Sequence, residues 1–250
     1  MYDELYFGHP SSLGDTIVTS PIVRLYAQKS NILYFPAGSA SYDSIKCLFQ
    51  DVKNIEVIPH DEYILKYDNA KTGSKILPWR FHQFPIKRNG SDFNDINVCW
   101  DRQIYDYFDL PFSLRYTGFK LPEKIQGSYE LYEKLTGGID DYVLVHKTMH
   151  IDNHRFNYNI EPWLDNSASR VIEIVPEMTN NIFEYIELIK HAKQIHVVPS
   201  SFFCLIDSIA LTLNSKLFFH DVRQSTIMTV NNHFNKSVWN VIFYETMFNL

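Results

Sequence analysis

Short apolar runs alternate with helical stretches along most of this chain, and that alternation sets the first expectations. Residues 4–8 (ELYFG) predict a strand, 9–15 a loop and 16–28 an apolar helix. Residues 31–37 (NILYFPA) predict a second strand, 42–50 a helix and 55–59 (IEVIP) a third strand. Between 60 and 90, aromatic and polar residues mix, Pro78 and Pro85 act as breakers, and no element is assigned. Residues 100–122 combine a helix, a Pro-marked turn and an extended segment, and 123–135 read as a helix closed by Gly137 and Gly138. After the double glycine the alternation restarts. Strands are predicted at 142–146, 170–175, 194–198 and 216–220, and helices at 181–193 and 202–213. In the first of these helices, Ile182, Tyr185, Ile186 and Ile189 share the spacing of one buried face. Residues 239–244 read as a last strand or as the start of a closing helix.

Strands alternating with helices imply a parallel α/β sheet. The double glycine is the best boundary, so the expectation is two consecutive α/β domains, residues 1–136 and 137–250.

Composition then removes whole function classes. At 250 residues a chain buries roughly 70–75% of its unfolded surface and needs no disulfide or metal staple. The formal charge of −6 (23 basic against 29 acidic residues) argues against a nucleic-acid binder, whose phosphate contacts need a basic face. Cys47, Cys99 and Cys204 are odd in number and irregularly spaced, which gives neither a disulfide framework nor a zinc pattern. The N-terminal MYDELYFG lacks the features of a secretory signal, and no apolar run approaches the roughly 18 residues of a membrane span. A soluble, reduced, cytoplasmic protein without an integral membrane segment is expected. Aromatics reach 15% while Gly is scarce at 9 residues, and no internal repeat is found.

Candidate chemistry sits at strand–helix junctions, where open parallel sheets bind ligands. The first loop, GHPSSLGDT, contains Ser12, Gly14, Asp15 and Thr16, and it matches neither the G-x-G-x-x-G nor the P-loop fingerprint. The plainer role for Asp15 is a helix N-cap, worth about 1 kcal/mol. Pro21 within the helical stretch implies a kink or a late start. The whole segment SLGDTIVTSPIVRLYA resembles the N-terminal loop and helix of heptosyltransferase-type glycosyltransferases, through Gly14, Asp15, Ser20 and Pro21. That resemblance implies a GT-B-like pair of Rossmann-like domains facing a central cleft. It also implies that Asp15 takes a proton from the acceptor hydroxyl.

A second junction, AKQIHVVPSSFFCLIDSIA, runs from a strand through Pro199, Ser200 and Ser201 into a helix. A helix N-terminus with hydroxyl donors suits an anion, and the plainer role is a Ser cap on a buried helix. The segment resembles the phosphate-facing turn of two-domain glycosyltransferases, most nearly its fucosyltransferase-like Ser-Ser-Phe form. Heptosyltransferases carry Asp-[ST]-Gly there with a His three residues on, where this chain has Pro199, Ser200, Ser201 and Cys204. Asp207, on the same apolar helix, must find a partner or the cleft.

A third segment, VLVHKTMHIDNHR, carries His146, Lys147, His150, His154 and Arg155. The fourfold His spacing would suit a metal on a helix, yet the preceding residues are strand-like, so no metal is expected. A basic loop at the carboxyl edge fits better. Fucosyltransferase-like enzymes hold the donor diphosphate with His-x-Arg after this strand, and here Thr148 occupies the Arg position. Lys147 or Arg155 would supply the charge, Arg155 with the better fork geometry. Asp221 and Arg223 are weaker donor-site candidates, and the aromatic-rich stretch 100–122 suits either core packing or sugar faces.

The resemblance therefore implies a glycosyltransferase that needs no cofactor or obligatory metal. Its partners would be a nucleotide-sugar donor, bound mainly by residues 137–250, and a carbohydrate or glycolipid acceptor on the side of residues 1–136. Contact with a membrane would be peripheral, through that acceptor. The alternatives are a non-catalytic nucleotide- or glycan-binding protein of the same architecture, and a nucleotide-sugar epimerase working without a dinucleotide.

Overall fold

The computed structural model describes residues 1–8, 12–77, 100–151, 154–164, 170–175, 178–222 and 238–244. The chain forms two compact units, the described residues up to Lys124 and those from Ile125 onward.

The first unit is built on a parallel sheet of β1 (Tyr2–Phe7), β2 (Ser30–Ala37), β3 (Ile55–Pro59) and β4 (Lys75–Leu77), in the order β3-β2-β1-β4. Its helices are α1 (Leu13–Ala27), α2 (Tyr42–Leu48), α3 (His60–Asn69), α4 (Trp100–Tyr107) and α5 (Leu114–Thr117). Alternation along β1 sends Leu5 and Phe7 to one face and Tyr6 to the other. Phe7 stacks on Phe35 at 5.9 Å and meets Tyr26 of α1 at 6.5 Å. Tyr6 joins Tyr34, Ile58 and Tyr63 of α3 in a buried cluster. Burying each such side chain is worth about 1.5–3 kcal/mol.

α1 contains Pro21, yet it runs unbroken from Leu13 to Ala27. Proline removes the N–H that would bond the carbonyl four residues back, here that of Ile17. The hydroxyl of Ser20 donates to that same carbonyl at 2.9 Å, within the buried core. Tyr105 of α4 donates to the next carbonyl, that of Val18, at 2.8 Å. Gly118 makes room for the ring, since a Cβ there would lie 3.0 Å from the Pro21 Cβ and 2.9 Å from the Leu114 carbonyl oxygen. The helix thus starts well before Pro21, against a late start, and the Ser20 hydroxyl supplies the donor that the ring lacks. In residues 100–122, Tyr105 is fully buried, Phe108 stacks on Phe7 at 6.1 Å, and Arg115 pairs with Asp101 in the interior. Of the aromatic side chains described in this stretch, Tyr105 is buried and Tyr107, Phe108, Phe112, Tyr116 and Phe119 are half-buried.

The second unit carries a five-stranded parallel sheet in the order β11-β10-β9-β5-β8. Its strands are β5 (Tyr142–His146), β8 (Arg170–Glu173), β9 (Gln194–Val197), β10 (Lys216–Asp221) and β11 (Trp239–Phe243). Every residue of β5 and β9 is buried, as expected of central parallel strands covered on both faces. Helices α6 (Ser128–Thr136), α7 (Ile186–His191) and α8 (Ser201–Ile209) accompany it. α6 begins five residues later than the sequence predicts, because Gly127 at φ 86° precedes it in a left-handed conformation. Gly137 and Gly138, both at positive φ, close α6 inside this unit, whereas the two units meet along the chain at Lys124–Ile125.

Two further differences bear on the site. Residues 60–69, left without an element by their mixed polarity, form α3, of which only Tyr63 is buried. Residues 148–157, expected as a basic loop, form an antiparallel hairpin of β6 (Thr148–Ile151) and β7 (His154–Asn157). Among the described residues, no helix is long and apolar enough to cross a membrane.

Candidate functional site

In an open parallel sheet, ligands bind beyond the carboxyl ends of the strands where the strand order reverses. In the first sheet the order reverses between β1 and β4, and in the second between β5 and β9. Of the sequence-predicted residues, Ser12, Gly14, Asp15 and Thr16 follow β1, and His146, Lys147, Ser200 and Ser201 follow β5 and β9.

After β1, the chain enters α1 through Ser12, the helix N-cap, whose hydroxyl accepts the Asp15 N–H at 3.1 Å. Asp15 itself is therefore not the cap. It stands three residues inside, half-buried, in the first turn, where the helix dipole favours a carboxylate. Thr16 donates to the Ser12 carbonyl at 3.0 Å and Thr19 to the Asp15 carbonyl at 2.8 Å, while Gly14 is buried. These bonds fix the backbone on both sides of the Asp15 carboxylate.

In the second unit, His146 ends β5, and Ser200 follows β9 as the N-cap of α8. The two side chains meet across the switch point, His146 Nδ1 to Ser200 Oγ at 3.2 Å. Ser200 Oγ also lies 3.1 Å from the Val198 carbonyl and accepts the Phe203 N–H at 3.3 Å. One proton assignment satisfies all three contacts. The hydroxyl donates to Val198, and its lone pairs accept from His146 Nδ1–H and Phe203 N–H. The His146 ring, 3% exposed, lies 4.5 Å from the Phe202 ring on the first turn of α8. Ser200 is thus engaged in holding the turn, which leaves Ser201 and the amides of Ser201 and Phe202 as the first-turn donors outside the helix's own bonds.

Lys147, next to His146, pairs with Glu173 at the end of β8 at 2.8 Å. Arg155 lies on the exposed β7, in register with His150. The hairpin removes the helical stacking that a metal reading of His146, His150 and His154 requires. Among the described residues no cluster of His, Cys, Asp or Glu has a metal-holding arrangement. Asp207, only 2% exposed, accepts the Trp239 indole N–H at 3.1 Å, which places it in the packing of α8 on β11. Arg223 lies outside the described residues.

Sequence reasoning missed a buried polar chain beside this site. His196 of β9 and His220 of β10 are both fully buried and approach at 3.0 Å, Nδ1 to Nε2. His196 Nε2 lies 3.5 Å from the Gln194 amide oxygen, and His220 Nδ1 lies 2.7 Å from the Tyr244 hydroxyl. The Trp163 ring meets Tyr244 edge-on, with centroids 6.3 Å apart. One assignment fits throughout: Tyr244 O–H to His220, His220 Nε2–H to His196, His196 Nε2–H to Gln194. Burial pushes the His196 pKa down to about 4 and that of His220 to about 3, with His196 adding to the second shift. Both rings are neutral at pH 7, and the Tyr244 phenol is pushed up to about 12, chiefly by burial. The sequence signal was a His in each of two otherwise apolar strands, QIHV and KLFFHD.

A cavity of about 980 Å³ also lies on the first unit, lined by Tyr2, Glu4, Tyr6, Glu62, Lys66 and Asn69 among others. None of the predicted site residues lines it.

No family model matches the chain, and no curated protein matches it. Among solved structures it is similar to the glycosyl transferase family 9 protein from Veillonella parvula DSM 2008. The match has a TM-score of 0.55 and 10% identity, and covers 98% of this chain and 86% of that one. The chain therefore has an α/β fold shared with a glycosyltransferase.

Proposed function

We propose that this chain is a glycosyltransferase with two Rossmann-like domains, in which the second unit binds a nucleotide-sugar donor and the first offers Asp15 to the acceptor. The observation that carries the proposal is the His146–Ser200 contact, which fixes the α8 N-terminus at the switch point of the second sheet. Phosphate oxygens suit such a position, because first-turn amides and the helix dipole favour negative charge. Ser201 adds a hydroxyl there, and Lys147 or Arg155 offsets the charge of the leaving diphosphate. Asp15 takes the acceptor proton as the acceptor oxygen bonds to the anomeric carbon and the sugar–phosphate bond breaks. The shared fold with a family 9 glycosyltransferase supports the same class.

Thermal unfolding in the presence of UDP, GDP, ADP and CMP, and of their sugar conjugates, tests the donor half of this proposal. A nucleotide at 100 times its Kd adds about 2.7 kcal/mol, which raises Tm by roughly 5–10 °C for a chain of this size. No shift with any of them refutes the proposal. With the binding nucleotide in hand, Asp15→Asn abolishes transfer while donor affinity stays within about twofold, since the carboxylate acts on the acceptor. Undiminished transfer by Asp15→Asn removes its role as base and favours another proton acceptor.

A further inference from the structure

We infer that Trp163 is the stacking platform for the base of the bound nucleotide, held in place by the buried chain from Gln194 to Tyr244; this rests on the proposed donor binding. Trp163 closes a short 3₁₀ turn, Glu161–Trp163, and remains 48% exposed. Its ring meets Tyr244 edge-on, with centroids 6.3 Å apart and planes at 64°. Tyr244 has its proton directed at His220, which is fixed by His196 and Gln194 in the interior. A half-exposed indole thereby rests on a tyrosine that three further side chains tie to the sheet core. An indole offers a flat, largely apolar face.

The place of this ring matters as much as its rigidity. Ile160, just before the turn, is buried with Val143 and Val145 of β5. Tyr244 packs against that cluster and also against Met149, Val198 and Val222. Val198 lies two residues before Ser200, the cap of α8. The platform and the candidate phosphate site therefore belong to the same carboxyl edge of the second sheet. A nucleoside diphosphate presents a charged group for the helix N-terminus and a planar base for an aromatic face, and every base has such a face. Gln194, His196 and His220 are positioning residues, acting through Tyr244 on Trp163.

Calorimetric titration of the full chain with UDP, GDP, ADP and inorganic pyrophosphate separates the two parts of the ligand. Trp163→Ala should weaken the preferred nucleoside diphosphate by about tenfold and leave pyrophosphate affinity unchanged. Trp163→Phe, which keeps a stacking face, should restore most of the lost affinity. Nucleotide binding should quench tryptophan fluorescence in the native protein, and Trp163→Phe should abolish that quench even if Trp163→Ala fails to fold. A Trp163→Ala protein that binds the nucleoside diphosphate like the native one overturns the inference and leaves the proposed function standing. Equal losses for nucleotide and pyrophosphate also overturn it, since they report general damage to the site. A native protein that binds no nucleoside diphosphate overturns both.

Discussion

The His196–His220 pair makes the second unit acid-sensitive in a window that carboxylates do not occupy. Both imidazoles have pKa values pushed below the ordinary 6.5, to about 4 and about 3, because burial disfavours the charged ring. Above pH 6.5 neither the folded nor the unfolded chain protonates them, and their contribution is complete. Between pH 6.5 and about 4 the unfolded chain binds protons that the folded chain refuses, so stability falls as pH falls. Below both folded values the folded chain binds protons too, and the loss levels out. Each histidine costs about 1.4 kcal/mol per pH unit in the window, so the pair costs roughly 4 kcal/mol between pH 6.5 and 5. That loss is large beside the 5–15 kcal/mol typical of a whole domain. It does not depend on how far below 5 the folded values lie. Asp51 and Asp140, held below their ordinary 3.8, add their losses only in more acid solution. For Asp51 the Arg24 guanidinium outweighs an opposing burial effect, and for Asp140 the hydrogen bond from Tyr132 is the main cause.

The assay is urea unfolding at pH 7.5, 6.5, 5.5 and 5.0 at constant ionic strength, followed by far-ultraviolet circular dichroism. The native chain should lose about 4 kcal/mol over that range, in the transition that belongs to the second unit. His196→Gln/His220→Gln retains hydrogen-bonding amides and removes the titration, so its stability should be nearly flat over the same range. A native chain that loses less than about 1 kcal/mol, or a double variant that loses as much as the native one, refutes the reasoning.

Two further outcomes follow from the first unit. Ser20→Ala leaves the buried Ile17 carbonyl without its donor and should cost about 1–3 kcal/mol; in a Pro21→Ala background the backbone N–H returns, and the same change should cost only a few tenths. Equal losses in both backgrounds, measured by urea midpoints, would show that the hydroxyl does not replace the proline's missing donor. Asp101→Ala removes the carboxylate paired with the buried Arg115 guanidinium and should cost about 3–5 kcal/mol, whereas Asp101→Ala/Arg115→Met should recover much of it. A double variant no more stable than Asp101→Ala alone would indicate that the loss is not that of an uncompensated charge.

Much of this architecture was legible because central parallel strands announce themselves. Residues 55–59 and 142–146 are read to the residue, since an apolar run ends in Pro at one and is enclosed by polar residues at the other. α3 escaped because it rests on the sheet mainly through Tyr63, so its sequence HDEYILKYDN has no wide apolar stripe. The β6–β7 hairpin escaped because β7, HRFN, is exposed at every position and shows no alternation to read. Strand order was not legible at all. No pattern within QIHV or KLFFHD says that the strands are neighbours, and the histidine chain exists only because they are.

Several residues of the motif that first pointed to chemistry have a local structural task. Ser20 and Pro21 look like a sequence signature, yet their pairing has a local cause, a hydroxyl replacing the donor that the proline lacks. Gly14 is buried within the first turn of α1, and capping belongs to Ser12. A helix that packs this way needs those residue types whatever the protein does. It does not need a carboxylate at Asp15 for its cap, because Ser12 already accepts that residue's own N–H. The proposed role of Asp15 is thus separate from the capping of α1. In the second unit Ser200 holds the turn, and the proposed phosphate contacts fall to Ser201 and the neighbouring amides.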